Sequence, residues 1–282
     1  MKSSHAHVLS CALAELGSYR DTSSASKPLR ILDTGCGYGG LIADALVAFA
    51  EQPQLGEIEI YGFEILEHGA GREQYWEQVL QTLETDFPEI PWKDRIRVVS
   101  SSEDWPFESE FFDLVWSNQV LEHVADLEAF LAQQVRVLSP GGLAIHHFPA
   151  KESLVDPHSG VPFAHWPKLD SGREAVLRFF SILGVGKYPN YRAQRGQELS
   201  VFVNEFVDYL RRFTSFRSAS EVESMSEEAG FDTSYRYNGA LVKRWIGEEG
   251  RTVWQYCDSG EDPWIARILS RFASVTLRCR KL

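Results

Sequence analysis

The chain has 282 residues, 44% hydrophobic and 24% charged, with a formal net charge of −12. That is ordinary globular composition with ample core material, and the acidic balance disfavours a protein that wraps nucleic acid or sits on anionic lipid. The four cysteines form no C-x-x-C pair, and no apolar run approaches the roughly 18 residues of a membrane span.

Residues 1–27 place Val8, Leu9, Ala12, Leu13 and Leu16 at helical spacing and turn Ser-rich at 22–26. This predicts an amphipathic helix covering the sheet edge or the active site. The start is too interrupted for a signal peptide, so a cytoplasmic protein without membrane contact is expected. Nothing in the chain specifies an oligomeric state.

Next comes Ile31-Leu32-Asp33-Thr34-Gly35-Cys36-Gly37-Tyr38-Gly39-Gly40, followed by apolar residues at helical spacing. It reads as a buried parallel strand (28–33), a tight turn and a helix (39–50). Glycines let backbone approach a ligand closely, and the free N–H groups of the helix start face it. Gly35, Gly37 and Gly40 fit the dinucleotide pattern G-x-G-x-x-G. Asp33 argues otherwise, because a carboxylate beside a pyrophosphate is costly and beside a cationic amino acid moiety favourable. The stretch resembles motif I of the class I S-adenosylmethionine (SAM)-dependent methyltransferases. SAM carries an ammonium and a sulfonium and no phosphate, so SAM is placed ahead of NAD. An NAD-dependent oxidoreductase and a non-catalytic SAM-fold partner subunit remain the alternatives.

Residues 57–64 alternate as a second strand ending in Glu64, whose carboxylate can accept two hydrogen bonds from ribose hydroxyls. Residues 67–87 predict one long helix with Tyr75, Trp76, Val79, Leu80 and Leu83 inward, and residues 95–99 a third strand. The turn after it, Ser102-Glu103-Asp104-Trp105-Pro106-Phe107, matches the place where the family binds adenine. By that resemblance Ser102, Glu103 and Trp105 are the adenine-side candidates. Residues 112–118 form a buried fourth strand. The words Phe112-Asp113-Leu114-Val115 and Val120-Leu121-Glu122-His123-Val124 resemble the family's following segment, which implies that Asn118 and Gln119 line the methionine half of SAM.

A helix over 126–138 ends at Leu138-Ser139-Pro140-Gly141-Gly142, and a fifth strand (143–148) carries His146 and His147. The β/α alternation implies right-handed crossovers and a parallel sheet. Residues 150–220 break that rhythm, with helices at 173–183 and 198–213 and a segment rich in Pro, His and aromatics between 151 and 167. They are expected to cover a substrate pocket. A short helix (220–230), a strand (231–237), a mostly helical stretch (240–271) and a last strand (273–280) complete the chain. The resemblance implies that this last strand is antiparallel. The expected organisation is an N-terminal helical cover (1–27), a Rossmann-like seven-stranded core (28–149 and 221–282) with helices on both faces, and a lid insertion (150–220).

The implied reaction is methyl transfer from SAM to an O or N atom of a small or medium-sized acceptor such as a sugar, lipid precursor or natural product. Protein or RNA substrates are the alternative. A hydroxyl acceptor needs a base, and histidine suits neutral pH. His165 is the first candidate, His147 the second and His123 the third. The histidine spacing contains no H-x-x-x-H, and no metal is expected.

Overall fold

The buried apolar run Leu29–Thr34 forms β1, and Gly40–Ala50 forms α2 behind the glycine turn. Both belong to a computed structural model that describes residues 1–19, 27–240 and 274–282. The remaining strands are β2 (Ile58–Ile65), β3 (Ile96–Val99), β4 (Phe112–Asn118), β5 (Leu138–Pro149), β6 (Phe231–Ser234) and β7 (Ser274–Lys281). They make one sheet in the order β3-β2-β1-β4-β5-β7-β6. Pairing is parallel from β3 through β5, and β7 runs antiparallel to both β5 and β6. The strand order reverses between β1 and β4, which opens a crevice at their carboxyl ends.

The first helix, α1 (Ser3–Tyr19), covers the sheet's face rather than its edge. Val8, Leu9, Cys11, Ala12 and Leu16 are fully buried in the cluster that also holds Ile31, Leu114, Trp116 and Ile145. Its polar residues are buried too. His7 Nε2 lies 2.7 Å from Thr276 Oγ1, and Glu15 accepts a 2.7 Å hydrogen bond from Tyr237. A second cluster fills the opposite face, under α5 (Leu127–Val137) and α9 (Ala219–Glu228). Asp126 caps α5 by accepting from Ala129 N, and Ser218 and Glu221 form a capping box on α9.

Several predicted features differ, among them the strand expected over 231–237, which ends at Ser234. The long helix expected over 67–87 is a π-turn (Leu66–Ala70) and a separate α3 (Tyr75–Glu84), with α4 (Trp92–Arg95) beyond it. Glycine in His68-Gly69-Ala70-Gly71 weakens a helix, and a Cβ on Gly71 would sit 2.3 Å from Leu66 O. Trp76 is partly exposed instead of inward. The Pro-Gly-Gly turn lies inside β5, because the chain is already extended at Leu138.

Residues 150–220 carry α6 (Asp170–Ile182), α7 (Tyr188–Arg195) and α8 (Leu199–Arg212). The sequence showed no helix at α7 because it buries no residue and offers no apolar stripe. These helices share a small core of Val161, Ala164, Leu177, Phe202, Val203 and Leu210. The expected linker at 22–26 and the expected helical stretch at 240–271, except residue 240, lie outside the described residues.

Candidate active site

The β1–α2 turn folds tightly because Cys36 N donates to Phe63 O and Gly39 N to Cys36 O. Gly35 and Gly37 both have positive φ, 68° and 54°. They do different jobs. A Cβ on Gly35 would lie 2.6 Å from Val120 Cγ2, whereas one on Gly37 would meet no protein atom within 4 Å. Gly35 is therefore small for packing, and Gly37 is small beside open space.

That space is a cavity of about 1040 Å³ at the carboxyl ends of the strands. Gly35, Gly37 and Glu64 line it on one side, and Ser102, Glu103 and Trp105 on the next. Gln119 and His123 line the third. Glu64 Oε2 accepts from Gly37 N at 2.8 Å, and Oε1 from Ile65 N at 2.9 Å. The carboxylate thus lies across the turn from the strand beside it. Tyr75 O–H donates to Gly37 O at 3.0 Å and itself lines the cavity. Trp105 packs against Phe63 and Phe130, with ring centroids 4.8 and 5.1 Å apart, and presents a flat apolar wall. Ser102 and Glu103 are exposed at its rim.

Asp33 is 2% exposed and Oδ2 has no hydrogen-bond partner. Burial, and then the neighbouring Glu64 charge, push its carboxyl well above the usual carboxylate range. The Trp116 side chain offsets this only in part, so a positive charge nearby would stabilise the ionised form. A glycine beside open space, a carboxylate lining that space at the end of β2 and a buried acid next to both fit SAM.

Other predicted residues stand elsewhere. Asp33 and Asn118 are not part of the cavity lining, and the Asn118 amide donates to Ser4 Oγ on α1 at 3.3 Å. His147 is a core residue: its Nδ1 lies 3.0 Å from Thr276 Oγ1, its ring packs against His7, and burial pushes its pKa down to about 4. The alternation of β5 turns it to the α1 face, so it does not reach the cavity. His146 turns to the other face and lies between Ser117 and Gln134. His165 is buried against Phe216 at 4.5 Å, lies 3.3 Å from Lys151 O, and also misses the cavity. The tight loop that carries it aims Trp166 outward and His165 inward.

Of the three candidate histidines only His123 lines the cavity. It lies in the 3₁₀ turn Leu121–His123 directly after β4. Its Nδ1 is 2.5 Å from Phe213 O, and burial pushes its pKa down to about 4. Tyr209 and Phe213, at the end of α8, complete this wall. Sequence reasoning missed both, because on an amphipathic helix they read as apolar face. It also missed Glu67, which accepts from Ser100 Oγ and Ser101 N, and Arg72, both in the broken helix after β2.

Residues 6–234 match the family described as "Methyltransferase domain". The chain belongs to that family. It is a class I methyltransferase with SAM as cofactor, which removes the nicotinamide alternative. A carbon methyltransferase, CurJ, shares the fold with a TM-score of 0.51 at 13% identity, covering 97% of this chain and 54% of that one. A SAM-dependent methyltransferase of Mesorhizobium loti aligns at TM-score 0.49 and 16% identity, over 95% of this chain and 98% of its own. The human mitochondrial ubiquinone biosynthesis O-methyltransferase is 34% identical over 119 residues, 41% of this chain. The match spans 28% of that relative's length. Among the described residues no helix is long and apolar enough to cross a membrane.

Proposed function

We propose that this methyltransferase moves the methyl group of SAM to a hydroxyl oxygen of a small or medium-sized acceptor. The observation that carries the reading is the extent of the cavity. At about 1040 Å³ it reaches from the glycine turn to the wall of His123, Tyr209 and Phe213, at the upper end of the roughly 300–1,000 Å³ typical of small-molecule sites. It has room for cofactor and acceptor side by side. The human relative is an O-methyltransferase by name, which favours oxygen over nitrogen.

When bound, SAM supplies a methyl group on a positively charged sulfur that leaves as a neutral thioether. In this reading Glu64 holds the ribose hydroxyls, Trp105 covers the adenine face, Gln119 flanks the amino acid part and Asp33 supplies the negative charge behind the turn. The helices of 150–220 bring Tyr209 and Phe213 over the acceptor and exclude water. Burial pushes the Tyr209 phenol up to about 12, so it stays a neutral hydrogen-bond donor at pH 7.

The test is transfer of a labelled methyl group from SAM to a panel of phenolic, sugar and polyketide alcohols, with protein and RNA fractions as parallel arms. Label in a small hydroxylated acceptor supports the reading; label confined to protein or RNA overturns it. His123→Ala removes a side chain from the wall beside the acceptor and should lower turnover. SAM affinity, read by calorimetry, should be nearly unchanged.

A further inference from the structure

His123 and His158 face each other in a way that neutral imidazoles cannot satisfy. His123 Nδ1 lies 2.5 Å from Phe213 O, so it carries the proton and leaves Nε2 bare. His158 Nδ1 lies 2.9 Å from Asp156 Oδ1, a buried carboxylate that accepts from Ser159 as well, so His158 Nε2 is bare too. The two Nε2 atoms are 3.3 Å apart. Two lone pairs at that distance repel unless a positive species lies between them.

Glu122 adds a third donor. Its side chain is 0% exposed, one oxygen lies 4.0 Å from His123 Nε2, and neither oxygen has a hydrogen-bond partner. One ligand atom from each of Glu122, His123 and His158 falls within 4.8 Å of the others.

We propose that Glu122, His123 and His158 bind a divalent transition metal ion of the zinc class at the cavity wall, with an open position for the acceptor oxygen. The last clause rests on the hydroxyl reading above; the metal site does not. Two ligands about 2.05 Å from a tetrahedral ion stand about 3.3 Å apart, the separation of the two Nε2 atoms. A shared proton would satisfy the two nitrogens alone and leave both Glu122 oxygens unpartnered, whereas an ion serves all three ligands. Two imidazoles and one carboxylate form a donor set that suits zinc, manganese or iron better than calcium or magnesium. Metal-bound histidines have the other ring nitrogen held by a carboxylate or a backbone carbonyl, and Asp156 and Phe213 O hold these two. Of the three ligands His123 borders the cavity, the side from which an acceptor oxygen would reach the ion. The sequence hid this site because its ligands are not at local spacing: His158 comes from the segment after β5, 35 residues beyond His123.

The experiment is metal analysis of the full chain purified without chelator and dialysed against zinc, with cobalt uptake followed by visible absorption. Expected are one ion per chain and d–d bands of a nitrogen- and oxygen-ligated cobalt ion. His158→Ala and Glu122→Gln should each weaken zinc more than about 100-fold. Asp156→Asn, which only orients a ligand, should weaken it about 10–100-fold. SAM affinity in these variants, measured by calorimetry, reports intact folding. No zinc or cobalt uptake by the unaltered protein overturns the proposal, as does unchanged uptake in both ligand variants. The unaltered protein decides the matter even where a variant fails to fold. A bound ion without methyl transfer upholds the site and overturns only the hydroxyl reading.

Discussion

Gly37 and Gly35 share a turn and positive φ, yet substitution should separate them. Alanine at Gly35 would press on Val120 at 2.6 Å, so Gly35→Ala should destabilise the fold and lower the melting temperature. Alanine at Gly37 meets no protein atom within 4 Å. It carries only the strain of a left-handed backbone, about 1–2 kcal/mol, and its methyl projects into the cofactor's space. Gly37→Ala should therefore lose far more SAM affinity than stability, with calorimetry read against thermal melting. Asp33 yields a second test. Burial and the Glu64 charge raise its pKa, and a bound cation lowers it again. Cofactor binding should release a proton from Asp33, and affinity should rise with pH between the bound and free values. Calorimetry in buffers of different ionisation enthalpy reads the released proton. Asp33→Asn should abolish that share and weaken binding; an unchanged proton count would remove Asp33 from the cofactor's electrostatics.

At the scale of elements, legibility tracked local signals. The strand–glycine–helix stretch, the strand ending in Glu64 and the Phe-Asp-x-Val strand are encoded by neighbouring residues, and the sheet that joins them was readable. Side-chain direction at the ends of long-range pairings was not. His146 and His147 alternate across β5, and only the packing of α1 and α5 shows that both faces are core. His158 carried no sequence mark distinguishing it from His165, seven residues on in the same irregular segment; the turn built on Asp156 decides which one faces His123. Helix α1 is likewise held by polar contacts invisible in its periodicity. Glu15 is 4% exposed, accepts from Tyr237, and lies 3.4 Å from Arg278 and 3.6 Å from Arg236. Removing one partner of a buried pair leaves the other uncompensated, at about 3–5 kcal/mol. Glu15→Ala should lower the urea midpoint accordingly. A midpoint equal to that of the unaltered protein would mean α1 docks by apolar contact alone.

For the whole molecule, the two core histidines on either side of the sheet set an acid limit on folding. His146 and His147 are fully enclosed, and burial holds their pKa values at about 3 and about 4. In the unfolded chain both return to about 6.5. The folded value is the lower, so below pH 6.5 the unfolded chain takes up protons that the folded one refuses. Stability is complete above that pH and falls as pH drops toward the folded values, by at most about 1.4 kcal/mol per pH unit for each histidine. Between pH 8 and pH 5 the pair should remove roughly 4 kcal/mol, a large part of the 5–15 kcal/mol typical of a domain. Urea unfolding at the two pH values measures this directly. His146→Gln keeps a hydrogen-bonding side chain between Ser117 and Gln134 while deleting one titration, so it should remove about 2 kcal/mol of the acid loss even where it lowers stability at pH 8. An acid limb of the same depth in that variant would assign the loss to other groups.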